Sequence, residues 1–303
     1  MDILLYYDFI ERFLENKTQL GDNETNVLIW NTFNNKNNVF LYSDKYFDFT
    51  IEYLDSKSKL EYVNELYPII NNLFDNGRIK PISNCNGENM DDEFIQLHEN
   101  HQENILFTFI INYKATFLNI IDRLTIIDQS NPINKDWIYL NLAANEKVII
   151  KPDNFTTLLE IQDFFRNIYE IPKIIRDVNI FNDYYNFTPD DCFKYLSENG
   201  VQVCYYSKGK IKDSGVWRLY TSSELSDIKT KLQSKFPNRF KYFTTTNFAI
   251  THKRRIAFEN IIVYADIDFP QVKISNNNWI ITLEFSEIEY GKLMQTLEDY
   301  TLR

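Results

Sequence analysis

DVNIFNDYY, residues 177–185, is an apolar and aromatic run that stops at the carboxylate of Asp183. Open α/β sheets gather their functional groups where strands leave the sheet at the carboxyl edge, so the run predicts a strand over 177–181 with Asp183 at that edge. On its N-terminal side, EKVIIK (146–151) reads as a strand and TTLLEIQDFFRNIY (156–169) as a helix. On its C-terminal side, 190–198 reads as a helix, VQVCYY (201–206) as a strand and WRLY (217–220) as another. Ser222 or Ser223 opens a helix to about Lys235, with Leu225, Ile228 and Leu232 on its buried face. This alternation predicts a mainly parallel sheet within 146–245. After Pro237 the pattern changes to short β-type runs, RFKYF, RRIAF, NIIVYA, VKI and WIITLEF, and the closing strands predict an antiparallel extension. Ser286 then opens a last helix with Ile288, Leu293, Leu297 and Tyr300 on its buried side.

The first half is less regular. ILLYY leads into a helix, and VLIW (27–30) and VFLY (39–42) flank the turn-rich NNKNN, which predicts a hairpin or two adjacent strands. Leu60, Val63, Leu66, Ile69, Ile70 and Leu73 mark an amphipathic helix over 58–74. Residues 82–92 read as a loop, and 94–127 as long helical pieces with a strand allowed at 105–111. The polar DQSNPINKD near Pro132 marks a connection. The expected organisation is an α/β chain: an acidic N-terminal mixed α/β domain over 1–145, then a C-terminal α/β domain over 146–303 with a mainly parallel sheet and an antiparallel extension.

Composition narrows the class. With 44% hydrophobic and 25% charged residues, the 303-residue chain has enough apolar surface to fold, which excludes disorder as its dominant state. Three cysteines cannot build a disulfide framework. The N-terminus carries no basic region ahead of its apolar run, and no 18-residue apolar stretch occurs, so a cytoplasmic chain with no membrane partner is expected.

Charge is unevenly spread. Residues 208–255 hold 12 Lys/Arg against 3 Asp/Glu, a net +9, while the remainder hold 20 against 40, a net −20. Such polarity steers an anionic partner to one face of an otherwise repelling body, or makes a protein interface. The candidate anion contacts are Lys210, Lys212, Arg218, Lys253, Arg254 and Arg255. The last three lie in AITHKRRIAF (249–258), where extended backbone places His252 and Arg254 on one face and Lys253 and Arg255 on the other. His252 is a candidate phosphate contact, nucleophile or proton carrier.

A strand that ends in Asp and an aromatic residue, followed by an α/β stretch and a later His-Xaa-Arg strand, resembles the phospholipase-D-like modules of some bacterial defence and trafficking proteins. Asp183 and Tyr185 match the first element, and His252 and Arg254 the second, over about 175–285. The active superfamily carries His-Xaa-Lys, a downstream Asp and a duplicated site. Arg254 in the Lys position and a single such histidine imply a degenerate, non-catalytic module that binds nucleic acid or a partner.

Asp8 after ILLYY resembles the first carboxylate of a PIN-like metal nuclease, with Asp44, Asp122 or Asp128 as partners; only that reading calls for Mg²⁺, and no other metal or cofactor is expected. No P-loop, GxGxxG or GxSxG motif occurs. His98 and His101 read as solvated, Cys192 and Cys204 as packed, and Trp30, Trp217 and Trp279 as core. Tyr184, Tyr185, Tyr205 and Tyr206 are candidate base-stacking groups, with one of each adjacent pair facing outward. The expected function is a nucleic-acid- or partner-binding component of a bacterial antiphage system, acting with a protein partner or a second copy. The alternative is a nuclease or phosphodiesterase using His252, Asp183 or Asp8.

Overall fold

The computed structural model describes residues 1–17, 23–101, 105–112, 114–118, 120–121, 124–127, 135–157, 159–161, 163–164, 166, 177–183, 185, 201–236, 239–247, 254–269, 272, 276 and 278–303. They form two compact units, one holding Met1–Asn145 and the other the described residues from Glu146 to Arg303. Among the described residues no helix is long and apolar enough to cross a membrane.

The first unit runs β1 (Asp2–Leu5), α1 (Tyr7–Lys17), α2 (Glu24–Asn34), β2 (Val39–Tyr42), α3 (Asp44–Ser56), α4 (Leu60–Asp75), β3 (Ile79–Pro81), α5 (Met90–His101), β4 (Phe107–Ile110), α6 (Ala115–Leu118), β5 (Leu124–Ile126) and α7 (Lys135–Asn145). Its sheet has the order β3-β2-β1-β4-β5 and is parallel at every pairing. Ile3, Leu4 and Leu5 and the whole of β4 are buried, as strands covered on both faces must be. Strand order reverses between β1 and β4, and that switch point opens at the carboxyl edge.

VLIW is not a strand. It lies inside α2, whose N-cap Asn23 accepts the amide of Thr25 at 3.0 Å. Leu28, Ile29, Thr32 and Phe33 are all buried and line one helix face, whereas Val27 of the same run is 39% exposed. Four consecutive apolar residues carry no period that separates the two structures. In the stretch 94–127, read as long helical pieces, β4 falls in the 105–111 segment that allows a strand, and β5 is a second, unexpected strand.

The second unit contains β6 (Lys147–Ile150), β7 (Asp177–Phe181), β8 (Gln202–Lys208), β9 (Lys210–Asp213), β10 (Val216–Leu219), α8 (Ser222–Lys235), β11 (Phe240–Thr245), β12 (Arg255–Phe258), β13 (Ile261–Ala265), β14 (Ile281–Phe285), α9 (Glu287–Gln295) and β15 (Thr301–Leu302). The large sheet has the order β15-β11-β8-β7-β12-β13-β14-β6. Its parallel part is the triplet β7-β8-β11. β12, β13 and β14 make the antiparallel extension, and β6 joins antiparallel at its far edge rather than entering the parallel part. RFKYF, within the 146–245 stretch expected to be mainly parallel, is β11 and completes the triplet. Rings stack across neighbouring strands, Phe181 on Tyr206 and Tyr206 on Phe243, each at 4.8 Å between centroids. α9, capped by Ser286, packs Leu293 onto this face, whereas Ile288 is 70% exposed and does not belong to the buried side predicted for it.

Candidate functional site

The triplet β7-β8-β11 ends on one edge of the second unit. Asp183, two residues past β7, is buried there. Its Oδ1 accepts the amide of Lys208 at 2.9 Å, and its Oδ2 lies 3.7 Å from the Lys208 ammonium. The acid expected at a strand end is therefore at the carboxyl edge, tied to the last residue of β8. Beside it Tyr185 donates to Ser207 Oγ at 2.6 Å, and Ser207 and Tyr242 are 3.1 Å apart oxygen to oxygen. Burial raises the phenols of Tyr185 and Tyr242 above their ordinary range, so this cluster holds its protons at neutral pH.

Beyond this edge β8 continues out of the sheet. Gly209 passes close against β11, its amide donating to Thr245 O at 2.6 Å; a Cβ there would meet that same oxygen at 3.3 Å. β9 and β10 then form a two-stranded antiparallel hairpin. Its turn residues Ser214 and Gly215 have φ of 48° and 88°, the left-handed pair that matches the twist of a two-residue hairpin loop.

Register decides what each face of this ribbon carries. Lys212 stands opposite Trp217 and Lys210 opposite Leu219, so these four share a face. Trp217 is 43% exposed and Leu219 58%, and the Lys208 ammonium lies 5.8 Å from the centre of the Trp217 ring. The other face carries Ile211, Asp213, Val216 and Arg218. Arg218 reaches Glu224 with two nitrogens at 2.8 and 2.7 Å and Asp213 with a third at 3.0 Å. Arg218 and the backbone amide of Thr221 hold the Glu224 carboxyl down to about 2. Arg218, expected as an anion contact, thus clamps the hairpin to the N-terminus of α8.

Arg254 lies just ahead of β12, at the same sheet edge as the end of β7. Its Nε donates to Asp268 at 2.6 Å and a second nitrogen to Asp266 O at 3.0 Å. Arg255 stands opposite Phe181, on the face that α9 covers, with its guanidinium 5.0 Å from the Tyr264 ring. His252, Lys253, Tyr184 and Cys192 lie outside the described residues. Tyr205 and Tyr206 are both buried, so neither member of that pair is a stacking group.

In the first unit Asp8 sits where the chain leaves β1. Its two oxygens accept the amides of Ile111 and Asn112, at 3.0 and 2.8 Å, and the Asn112 side chain at 3.3 Å. Near it Lys114 bridges Asp91, at 2.8 and 2.9 Å, and the hydroxyl of Tyr6, which also bonds Asp91. An ammonium thus sits between acidic and phenolic oxygens at this carboxyl edge. Asp44 is exposed at the start of α3, and Asp122 and Asp128 lie outside the described residues. Among the described residues no three His, Cys, Asp or Glu side chains converge as a metal site. His98, expected in solvent, is 1% exposed.

Sequence reasoning missed Trp217 and Lys208. A strand-like run around a Trp reads as core, yet the two-residue turn Ser214-Gly215 is visible in KGKIKDSGVWRL (208–219). Pairing outward from that turn puts Lys212 against Trp217 and Lys210 against Leu219, too polar a face for a core.

No protein-family model and no curated protein matches the sequence. Among solved structures, the chain is similar to Nuc, a phospholipase D family member from Salmonella typhimurium, at 11% identity and a TM-score of 0.34, over 52% of this chain and 97% of that one. It is similar to phosphatidylserine synthase of Haemophilus influenzae at 10% identity and a TM-score of 0.36, over 52% of this chain and 39% of that one. TrmBL2, an archaeal chromatin protein with a novel mode of DNA binding, gives 10% identity and a TM-score of 0.27, over half of each chain.

Proposed function

We propose that the chain binds nucleic acid through its second unit, with the β9–β10 hairpin as the contact surface. The observation that carries this reading is the basic face on which Lys210 and Lys212 flank exposed Trp217, with Lys208 against the same ring. Alternate strand residues are about 6.7 Å apart, so Lys210 and Lys212 present two neighbouring cations to a phosphate backbone, while the Lys208 ammonium, 3.7 Å from Asp183, backs the ring. A chain of net charge −11 repels polyanions at long range, and attraction then has to be local. Arg218 and Arg254 support the surface from within by anchoring the hairpin and the start of β12.

The expected result is binding that weakens with salt, with a slope of log K against log salt of about −1.4 for two contacts to a single strand. Fluorescence anisotropy with labelled oligonucleotides at about 50 and 200 mM salt measures it. Lys210→Ala/Lys212→Ala should flatten the slope and weaken binding at both concentrations. Salt-independent binding, or a double variant equal to wild type, rules the hairpin out as the contact surface. An antiphage setting is supported by the phospholipase-D-like resemblance at Asp183, Tyr185, His252 and Arg254, and cleavage by that resemblance and by the PIN-like position of Asp8.

A further inference from the structure

On the reading of the hairpin as a nucleic-acid surface, we infer that its ligand is single-stranded, with a base stacked on the indole of Trp217 and the backbone tracked by Lys210 and Lys212. Trp217 is 43% exposed although it sits mid-strand, where a large ring normally buries its area. Its cross-strand partner is Lys212, and Lys208 holds a cation 5.8 Å from the ring centre. An aromatic platform flanked by cations is the arrangement that takes unpaired bases: stacking uses the π-face that every base has, and the flanking charges take the phosphates. A duplex keeps those faces inside its own stack and offers only base edges and backbone. The indole then gains nothing from a duplex, and the lysines alone would hold it. An apolar peptide on this face would bring ammonium groups out of water without compensation.

The test uses the full chain with labelled oligo(dT), oligo(dA) and a mixed-sequence duplex of equal length, at two salt concentrations. Wild type should bind both single strands at least tenfold more tightly than the duplex, with little preference between them. Trp217→Ala should cost about five- to one-hundred-fold on single strands, leave the duplex unchanged and keep the salt slope. Trp217→Phe, which retains a ring, should recover part of the loss; because the indole is exposed, an unchanged circular-dichroism melt certifies the fold of both variants. Equal affinity for single strand and duplex, or a Trp217→Ala protein that binds single strands like wild type, overturns the stacking inference while leaving the hairpin reading in place. Wild type that binds neither form overturns the hairpin reading itself.

Discussion

Asp8 and Glu224 are both carboxylates held by backbone amides, and they respond to pH in opposite senses. Burial pushes the Asp8 carboxyl above its ordinary range, with the amides of Ile111 and Asn112 pulling the other way. A raised folded-state value means its contribution to stability is complete below the ordinary carboxylate range and is lost as pH rises through the raised value. Glu224, half-exposed and held by Arg218, is the reverse: its contribution is present above the ordinary glutamate range and is lost as pH falls toward about 2. An NMR titration of the Glu224 side chain should therefore show a midpoint near 2, and Arg218→Ala should return it toward its ordinary value; a midpoint that does not move with Arg218 contradicts the clamp. Asp8→Ala removes the acceptor for three hydrogen bonds. Urea unfolding should register a loss of about 2 kcal/mol. That structural role was hidden in the sequence, where an acid after a strand looks the same whether it awaits a metal or caps two amides.

Among the elements, the β9–β10 hairpin is the one whose conformation depends most on a single residue. Gly215 at φ 88° lies where a side chain is strained, although a Cβ there would meet nothing within 4 Å. Gly215→Ala should thus act through backbone conformation alone, costing about 1 kcal/mol. Hydrogen exchange should localise the change to the amides of β9 and β10, and oligonucleotide binding should weaken with it. The element scale is also where sequence legibility was most uneven. α4, α8 and α9 carry three- and four-residue apolar spacing or a Ser/Thr cap and were readable, although Thr221 rather than a serine caps α8. β7 and β8 were readable from β-branched and aromatic runs closed by polar residues. α2 was not, because Val27–Trp30 is apolar at four consecutive positions and only its packing partners settle its period. Trp217 was misassigned for a related reason, since composition identifies a strand but only register tells which face meets water.

At the scale of the whole molecule, the described residues form two units whose sheets share no strand, so unfolding need not be a single step. Calorimetry should resolve two transitions, with Asp8→Ala lowering one and Gly215→Ala the other; both variants lowering one common transition would show that the units unfold together. The α/β class was legible from the strand–helix rhythm around 177–185. The parallel extent was not, because pairing partners are set by distant residues: β6 reads as a neighbour of β7 in sequence and lies at the sheet edge, beyond β12, β13 and β14. That placement has a consequence for synthesis. Val148 finds its partner in Leu283, some 135 residues later. At ribosomal speeds of about 5 to 20 residues per second, KVII waits roughly 7 to 27 s after emerging before the strand it pairs with exists. Through that interval a four-residue apolar-rich segment has both hydrogen-bonding edges open, so the nascent chain, rather than the finished one, is the form in which this protein is most exposed to mispairing and most dependent on chaperones.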